Sequence, residues 1–129
     1  MMQFSLLTPE GELFSAQVDQ VDAQGAEGDL GVLPDHVAFV TPLKVAPLSI
    51  KSDGQESRFA VYGGILQVTP EEVTVLADQA DLPEQLDRRA VLSQQERLET
   101  QLSQTQHAEQ EATLKHQLQI VQTQLEVLA

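Results

Sequence analysis

The pattern of apolar and polar positions changes character near Pro83. Before this residue, short runs rich in β-branched and aromatic side chains alternate with turn-forming residues, which is typical of an all-β sandwich or barrel. All seven glycines and all six prolines lie at or before Pro83, whereas the rest of the chain is rich in Gln, Glu, Leu and Ala. The sequence therefore predicts a β-sandwich domain over residues 1–82 and a helical arm over residues 83–129.

The first domain is predicted to contain about eight to ten short strands. The runs with the highest β propensity are residues 3–7, 16–23, 31–33, 39–43, 48–51, 56–62, 65–68 and 73–76. Ser52-Asp53-Gly54 is typical of a hairpin turn, and so are residues 69–72. The Gly63-Gly64 pair indicates a bulge or a close approach of two backbones. Two sheets packed over one core are expected.

The arm is predicted to form two helices. Pro83 suits a first helical turn, because its missing N–H would have no partner there. An apolar seam at alternating spacings of four and three follows in the second helix, formed by Leu114, Leu118, Val121, Leu125 and Leu128. The same spacing recurs earlier, with two polar members, at Val91, Gln95, Leu98, Leu102 and Thr105. These patterns predict an antiparallel hairpin that turns at residues 103–107, although no Gly or Pro forces a break there.

The charge of the chain excludes some classes of partner. Seven Lys and Arg against twenty Asp and Glu give a formal net charge of −13, which repels nucleic acid and anionic membrane surfaces. No uncharged apolar stretch approaches the ~20 residues that a membrane-spanning helix needs, so direct insertion is not expected. Either the charge keeps the protein in solution or a protein partner presents a basic surface.

Candidate chemistry is sparse. The glycine-rich residues 25–31 lack the Lys-Ser/Thr of a phosphate-binding loop, and Glu27 and Asp29 would repel an anion. The three histidines show no metal-ligand spacing, and no cysteine is present to form a thiolate site or disulfide. No nucleophile with a positioned base is evident. The sequence predicts a binding or scaffolding protein rather than an enzyme, with no metal or cofactor.

Two ordered motifs resemble a known family. Residues 27–36, Glu-Gly-Asp-Leu-Gly-Val-Leu-Pro-Asp-His, with Thr-Pro-Leu-Lys at 41–44, are similar to the signature loop of the epsilon subunits of F-type ATP synthases. Residues 62–78, which begin Tyr-Gly-Gly-Ile-Leu, resemble the second signature of that family. Leu-Thr-Pro at 7–9 and Leu-Asp at 86–87 fall at the family spacing, so the resemblance covers nearly the whole chain.

The resemblance implies a non-catalytic subunit of the central stalk. Its sandwich would dock on the gamma subunit and on the loops of the membrane c-ring, coupling the ring to the shaft during proton-driven ATP synthesis. Its helices would fold down or reach up transiently to the alpha/beta catalytic head, where they hinder ATP hydrolysis. The subunit would be a peripheral part of the complex at the cytoplasmic face of the plasma (inner) membrane. By motif position, the residues at the ring and gamma interface are Glu27, Gly28, Asp29, Gly31, Pro34 and His36.

The sequence departs from the family pattern in three places. Residues 44–47 replace the usual Pro-Gly pair, so a differently built turn is expected there. Leu86-Asp87 resembles the start of a nucleotide-contacting motif of some relatives, but Arg89 lies one position out of register with the arginine of that motif, so ATP binding should be weak or absent. Lys115 is the only firm cation on the second helix, which predicts weak electrostatic inhibition.

Two other classes of protein use the same kind of arm. One is a free-standing adaptor whose heptad seam pairs with another protein's coiled coil, and the other is a soluble ATP-sensing module. An adaptor should be stable alone and bind its partner through the seam, whereas a stalk subunit should co-purify with a gamma subunit and a rotary head.

Overall fold

A computed structural model describes all residues 1–129. Eight strands precede the helices: β1 (Met2–Thr8), β2 (Gly11–Val18), β3 (Gln20–Gly25), β4 (Gly28–Val32), β5 (Phe39–Ser52), β6 (Gln55–Val68), β7 (Glu72–Ala77) and β8 (Ala80–Asp81). A 3₁₀ turn (Pro83–Gln85) leads into α1 (Arg88–Gln104) and α2 (Ala108–Leu128). The predicted β-sandwich followed by a helical hairpin is confirmed.

The strands are hydrogen-bonded in the order β2-β1-β7-β6-β5-β3-β4, with β8 added to β6. β1 and β7 are parallel, and every other pair is antiparallel. The sheet folds over on itself through β6. The C-terminal half of β6, Gly64 to Val68, pairs with β7, whereas Phe59 in its N-terminal half packs across the core against Phe4 and Phe14.

Alternating side chains of these strands form one apolar core of 17 buried residues. Phe4 and Phe59 stack with their ring centroids 6.1 Å apart, and Phe14 lies 4.9 Å from Phe59 on the rim. The buried positions in β1, β3 and β7 follow a period of two, as expected when one face of a sheet is buried and the other is not.

Both predicted turns and the predicted glycine feature are confirmed. Asp53 and Gly54 both have positive φ, 52° and 79°, as a tight two-residue hairpin between β5 and β6 requires. Residues 69–72 turn the chain from β6 into β7, with the Thr69 N–H donating to the Glu72 carbonyl at 2.9 Å. Gly64 has φ of 139°, and a Cβ there would lie 2.3 Å from the Leu76 carbonyl oxygen, so only glycine fits.

Several predicted strand boundaries are wrong. The runs predicted at 39–43 and 48–51 are one strand, β5, and those at 56–62 and 65–68 are one strand, β6. The run at 16–23 belongs to two strands that break at Asp19, and the start of β2 at Gly11 was not predicted. Long strands that serve two layers carry turn-like residues at their bends, and these residues resemble strand ends in the sequence.

No turn forms at residues 44–47, contrary to the expectation from the sequence. Val45, Ala46 and Pro47 pair directly with Tyr62, Val61 and Ala60 of β6. A proline is tolerated within β5 because the pairing of β5 with β3 is irregular between Asp22 and Gly25, so the ladder on that side does not require every N–H.

The helical region matches the prediction except at its start. Pro83 opens the 3₁₀ turn, and the α-helix begins only at Arg88, where the Asp87 carboxylate accepts the backbone N–H of Arg89 at 3.0 Å. α1 ends at Gln104 and α2 begins at Ala108, so the residues that connect the helices lie within the predicted turn. Neither helix has the length and apolar character needed to cross a membrane.

Candidate docking surfaces and the helical arm

The first signature segment begins as a β-hairpin. β3 and β4 pair from Val21 with Val32 to Gly25 with Gly28, which leaves Ala26 and Glu27 at the tip. Gly28 has φ of 140°, a conformation that glycine adopts without strain. Glu27, Asp29 and Gly31 are exposed, and β4 is the last strand of the sheet, so its outer edge is unpaired. A strand was predicted in this segment only at residues 31–33, but the edge strand begins earlier, at Gly28.

The second half of the segment, residues 33–38, crosses to the β6–β7 turn. The N–H of Asp35 donates to the Pro70 carbonyl at 3.3 Å, and Asp35 takes a left-handed φ of 66°. His36 is half-buried, with its ring 5.2 Å from that of Phe39 and its Nδ1 3.0 Å from the Val37 carbonyl oxygen. Leu33 and Val37 are left 55% and 76% exposed. Pro34 is exposed as well.

An apolar row runs across the outer face of four adjacent strands. Leu7 of β1 is paired with Leu76 of β7, Leu76 with Ile65 of β6, and Ile65 with Pro42 of β5. Val40 continues the patch along β5 and is 65% exposed. We call these five residues the apolar row. A contiguous apolar patch on the outside of a sheet is unusual for a surface that faces only water, and it indicates an interaction site.

The acidic end of the β3–β4 hairpin adjoins a groove rich in carboxylates. Its charged members are Asp22, Asp29, Glu56, Arg58 and Glu126. The Arg58 Nε donates to the Glu56 Oε1 at 2.8 Å, and this hydrogen bond is the main cause of a lowered pKa of Glu56. The groove is therefore lined by four carboxylates and one guanidinium that is already paired, and Lys51 lies 4.0 Å from Asp22 beside it, so this side of the sandwich is negative.

The predicted seam of α2 packs against α1. Val91, Leu98 and Val121 are buried between the helices, and the flanking side chains are half-buried, namely Leu114, Leu118, Leu125 and Leu128. Leu102 is also half-buried, at the position that the spacing predicted. The apolar contact therefore extends along most of the length of the hairpin.

A second face of α2, which the sequence analysis missed, packs against the sandwich. Val127 is buried with Ala60 and Tyr62 of β6, and Ile120 packs at the edge of the same cluster. Thr123 is 3% exposed. The signal in the sequence is Ile120 and Val127, two apolar residues seven positions apart that lie off the seam.

Polar contacts reinforce this second face. The Tyr62 hydroxyl donates to the Asp81 Oδ2 at 2.7 Å and accepts from the Gln124 Nε2 at 3.0 Å. Burial, followed by the bond to Asp81, raises the pKa of Tyr62 well above its ordinary value of 10.0. The Arg58 Nη1 donates to the Glu126 carbonyl at 3.4 Å and the Arg88 Nη2 to the Leu128 carbonyl at 2.6 Å. Cations at these carbonyls in the last turn of α2 also suit the helix dipole.

The two candidate nucleotide contacts have different surroundings. Asp87 is occupied as the N-cap of α1, where one of its carboxylate oxygens accepts a backbone N–H. Arg89 is exposed on the first turn of α1, and the neighbouring Arg88 holds the end of α2 instead. The basic groups near the start of α1 therefore face water or stabilise the hairpin.

Comparison with known proteins agrees with this geometry. Residues 1–83 match the family described as ATP synthase, Delta/Epsilon chain, beta-sandwich domain. The ATP synthase epsilon chain of Bacillus licheniformis is 39% identical over 101 residues, 78% of this chain and 77% of the relative. The ATP synthase epsilon chain of Brevibacillus brevis is 40% identical over 103 residues, which cover 79% of this chain and 78% of the relative.

Two solved structures have the same fold. A chain in the cryo-EM structure of the Euglena gracilis mitochondrial ATP synthase, containing OSCP, F1 and c-ring, superposes with a TM-score of 0.86 at 20% identity. That match covers 99% of this chain and 81% of the other. A chain in the cryo-EM structure of the Tetrahymena thermophila mitochondrial ATP synthase central stalk and c-ring superposes with a TM-score of 0.63 at 17% identity. That match covers 99% of this chain and 96% of the other.

The chain combines a β-sandwich with a packed helical hairpin, and about the first two thirds of it match this family. These features define a small subunit of a rotary ATP synthase. The chain belongs to the family of ATP synthase epsilon chains, as its two signature segments predicted.

Proposed function

We propose that this chain is a non-catalytic rotor subunit of the central stalk, which couples the c-ring to the gamma shaft during proton-driven synthesis. The observation that carries the proposal is the apolar row, which spans β1, β7, β6 and β5 on the outside of the sandwich. Transmitting torque requires a partner that cannot slip, and burying a contiguous apolar face on a second protein provides such a contact. We assign this face to the gamma subunit.

The β3–β4 hairpin is proposed as the contact with the c-ring loops. Glu27 and Asp29 are exposed at its end, Gly28 and Gly31 shape it, and Pro34 follows on the exposed connection. His36, held against Phe39, would lie near the shaft at the start of β5. A negative tip favours basic or polar loops on the ring and disfavours the anionic lipid head groups around it.

Regulation is proposed to reside in the helical arm. The arm would act transiently on the alpha/beta head and restrain ATP hydrolysis there. Lys115, the cation on α2 available for such contacts, already pairs with Glu111 at 2.8 Å. The electrostatic part of the restraint should therefore be small, and ATP binding by the arm weak or absent. The subunit would be a peripheral component at the cytoplasmic face of the membrane.

The adaptor alternative requires a free seam. In this structure the seam residues Leu114 to Leu128 are engaged with α1, so an external coiled coil would first have to displace α1. Apart from Leu92 on α1, the large exposed apolar side chains lie on the sandwich instead. This difference favours docking through the sandwich.

Reconstitution with the gamma subunit and the c-ring tests the proposal. Ile65→Asp places a charge at the centre of the apolar row and should abolish co-purification with gamma, whereas Ser57→Asp, on an exposed part of the same strand, should not. Asp29→Cys should crosslink to cysteines in the ring loops. Asp53→Cys, in the exposed turn between β5 and β6, should not. Equal crosslinking from both positions, or full assembly of Ile65→Asp, would contradict the assignment.

A further inference from the structure

We infer that the cavity between α2 and the irregular part of β5 binds a small zwitterion, a molecule with a carboxylate at one end and an ammonium group at the other. The cavity has a volume of about 450 Å³, which is within the range of small-molecule sites. None of its lining residues belongs to the apolar row or to the candidate ring and nucleotide contacts. The site is therefore independent of the proposed docking of the sandwich.

The cavity lies where the pairing of β5 is irregular. Residues 44–48 of β5 lie opposite only residues 23–24 of β3, between the regular pairs formed by Leu43 and Ser49. The surplus residues of β5 cannot all join the ladder, and α2 packs over this part of the strand. Such irregularities are over-represented next to functional sites, because they re-aim side chains and open space beside the sheet.

Thr123 of α2 presents an unpaired hydroxyl to this cavity. The residue is only 3% exposed, and it lines the cavity. The other threonines within the helices, Thr100 and Thr113, donate their hydroxyls to the carbonyl four residues earlier. Thr123 forms no such bond, and no fully buried polar side-chain atom in the chain lacks a partner. Its hydroxyl oxygen therefore opens on the cavity, where a bound molecule would pair with it.

The lining contains two opposite charges that do not pair with each other. Lys44 comes from the sandwich and Glu126 from α2, and both side chains are exposed. The ion pairs of the chain are Lys51 with Asp22, Arg58 with Glu56, and Lys115 with Glu111. Lys44 is therefore the only lysine outside an ion pair. A ligand that carries a carboxylate and an ammonium group would satisfy both charges at once.

Side-chain amides occupy the rest of the polar lining. Gln24 lies on the sandwich side, and Gln119 and Gln122 lie on α2. A glutamine amide can both donate and accept a hydrogen bond, so these residues can contact either end of a zwitterion. The net charge of −13 repels a simple anion, whereas a zwitterion is neutral overall and responds mainly to the local charges.

The neighbouring acidic groove sets the orientation of the ligand. Glu126 lines both that groove and this cavity, so its end of the cavity adjoins further carboxylates. The ammonium group is favoured there. The carboxylate end then lies at Lys44, where the ammonium group of the lysine and the hydroxyl of Thr123 can donate to it.

An NMR titration of the full chain tests the site. The zwitterionic probe is γ-aminobutyrate, and the matched probes are butyrate and butylamine, which each carry only one of its two charges. We expect γ-aminobutyrate to shift the amide signals of Lys44 and Thr123, with half-saturation at about millimolar concentration. Each single-charge probe should bind about tenfold more weakly, because it leaves one charge-assisted hydrogen bond unmade.

Two charge-removing variants and their controls locate the contacts. Lys44→Gln and Glu126→Gln alter exposed side chains, so the fold should persist, and each should weaken γ-aminobutyrate binding about tenfold. Lys115→Gln and Glu109→Gln make the same changes at exposed positions of α2 outside the cavity and should leave the affinity unchanged. Thr123→Val keeps the shape of the buried side chain and should weaken binding by about threefold.

The outcomes separate the site from its ligand. Butyrate that binds as tightly as γ-aminobutyrate, and loses affinity in Lys44→Gln, would overturn the zwitterion in favour of an anion. Absence of any shift at Lys44 and Thr123, or equal affinity in the parent and both charge-removing variants, would overturn the site. Neither result bears on the proposed stalk function, because the titration contains no gamma subunit or c-ring.

Discussion

The side-chain amide of Gln124 in α2 donates a hydrogen bond to the hydroxyl of Tyr62 in β6, 62 residues earlier in the chain. Tyr62 is the only tyrosine, and there is no tryptophan. Its ultraviolet absorbance and fluorescence therefore report on this one contact between arm and sandwich, without interference from other residues of the chain.

The raised pKa of Tyr62 predicts a loss of stability at alkaline pH. The folded state favours the neutral phenol, so its contribution to stability is fully present below the ordinary pKa of 10.0 and is lost as the pH rises above it. Chemical denaturation at a series of values from about pH 8 to about pH 11 should show this decline, with a smaller one in Tyr62→Phe. The absorbance should show that the phenolate forms at a higher pH than in a free tyrosine. An identical decline in both proteins would assign the effect to other groups.

Loss of a seam side chain should loosen the helical hairpin. Leu118→Ala removes half-buried methyl groups between α1 and α2 and should cost about 2 kcal/mol of local stability, the lower end for such a change. Amide hydrogens in residues 108–128 should then exchange faster. Leu92→Ala, at a position of α1 that is 47% exposed, is the control and should leave exchange unchanged. Equal effects of the two changes would show that the seam is not the main source of stability.

Deletion of α2 should activate ATP hydrolysis only modestly in the assembled enzyme. The helix carries three acidic side chains at Glu109, Glu111 and Glu126, and its Lys115 is paired within the helix. Removing residues 108–129 should raise the rate by no more than about fivefold, which corresponds to about 1 kcal/mol of exposed ion pairing. The rate measured with and without the helix at low and high salt checks this. A large activation that disappears at high salt would contradict the charge argument.

ATP should bind the isolated chain no more tightly than about millimolar. Asp87 is committed to the N-cap of α1, and Arg89 is one helical position away from the motif of some relatives. Calorimetric titration measures the affinity directly. The double change Arg89→Ala, Ala90→Arg should tighten binding if register is the only defect. Micromolar binding by the parent chain, lost in Asp87→Ala, would disprove the register argument.

Gly64→Ala should be strongly destabilising because the new Cβ would lie 2.3 Å from a backbone oxygen of β7, at a φ of 139°. We expect a loss of more than about 2 kcal/mol in urea denaturation. Gly11→Ala is the matched control, since Gly11 also has a positive φ, 123°, but no atom lies within 4 Å of its Cβ position. The difference between the two variants isolates the steric conflict from the cost of the backbone conformation.

The features that were predictable from the sequence are those set by local chemistry. Asp53-Gly54 demands a tight turn, Gly63-Gly64 marks a close approach, and the regular spacing from Leu114 to Leu128 marks a helical seam. Each follows from residues within a few positions of one another, so no knowledge of the tertiary structure was needed.

The features that were missed depend on which segments meet in space. Pro47 was predicted to lie in a turn between two strands, but it lies within one strand, which tolerates it because the neighbouring ladder is irregular at that level. The apolar row joins residues from four strands, and only the pairing register shows that Leu7, Leu76, Ile65 and Pro42 are in line. The second face of α2 was hidden because Ile120 and Val127 are too few to form a pattern of their own.

Gly63-Gly64 in β6 separates the residue that contacts α2 from a residue of the apolar row. Tyr62, which receives Gln124, directly precedes Gly63-Gly64, and Ile65 of the apolar row directly follows them. Because Gly64 lies against the carbonyl of Leu76, this stretch has little room to shift. A partner bound at Ile65 and the helix packed on Tyr62 therefore contact the same strand, with only Gly63 and Gly64 between their contact points.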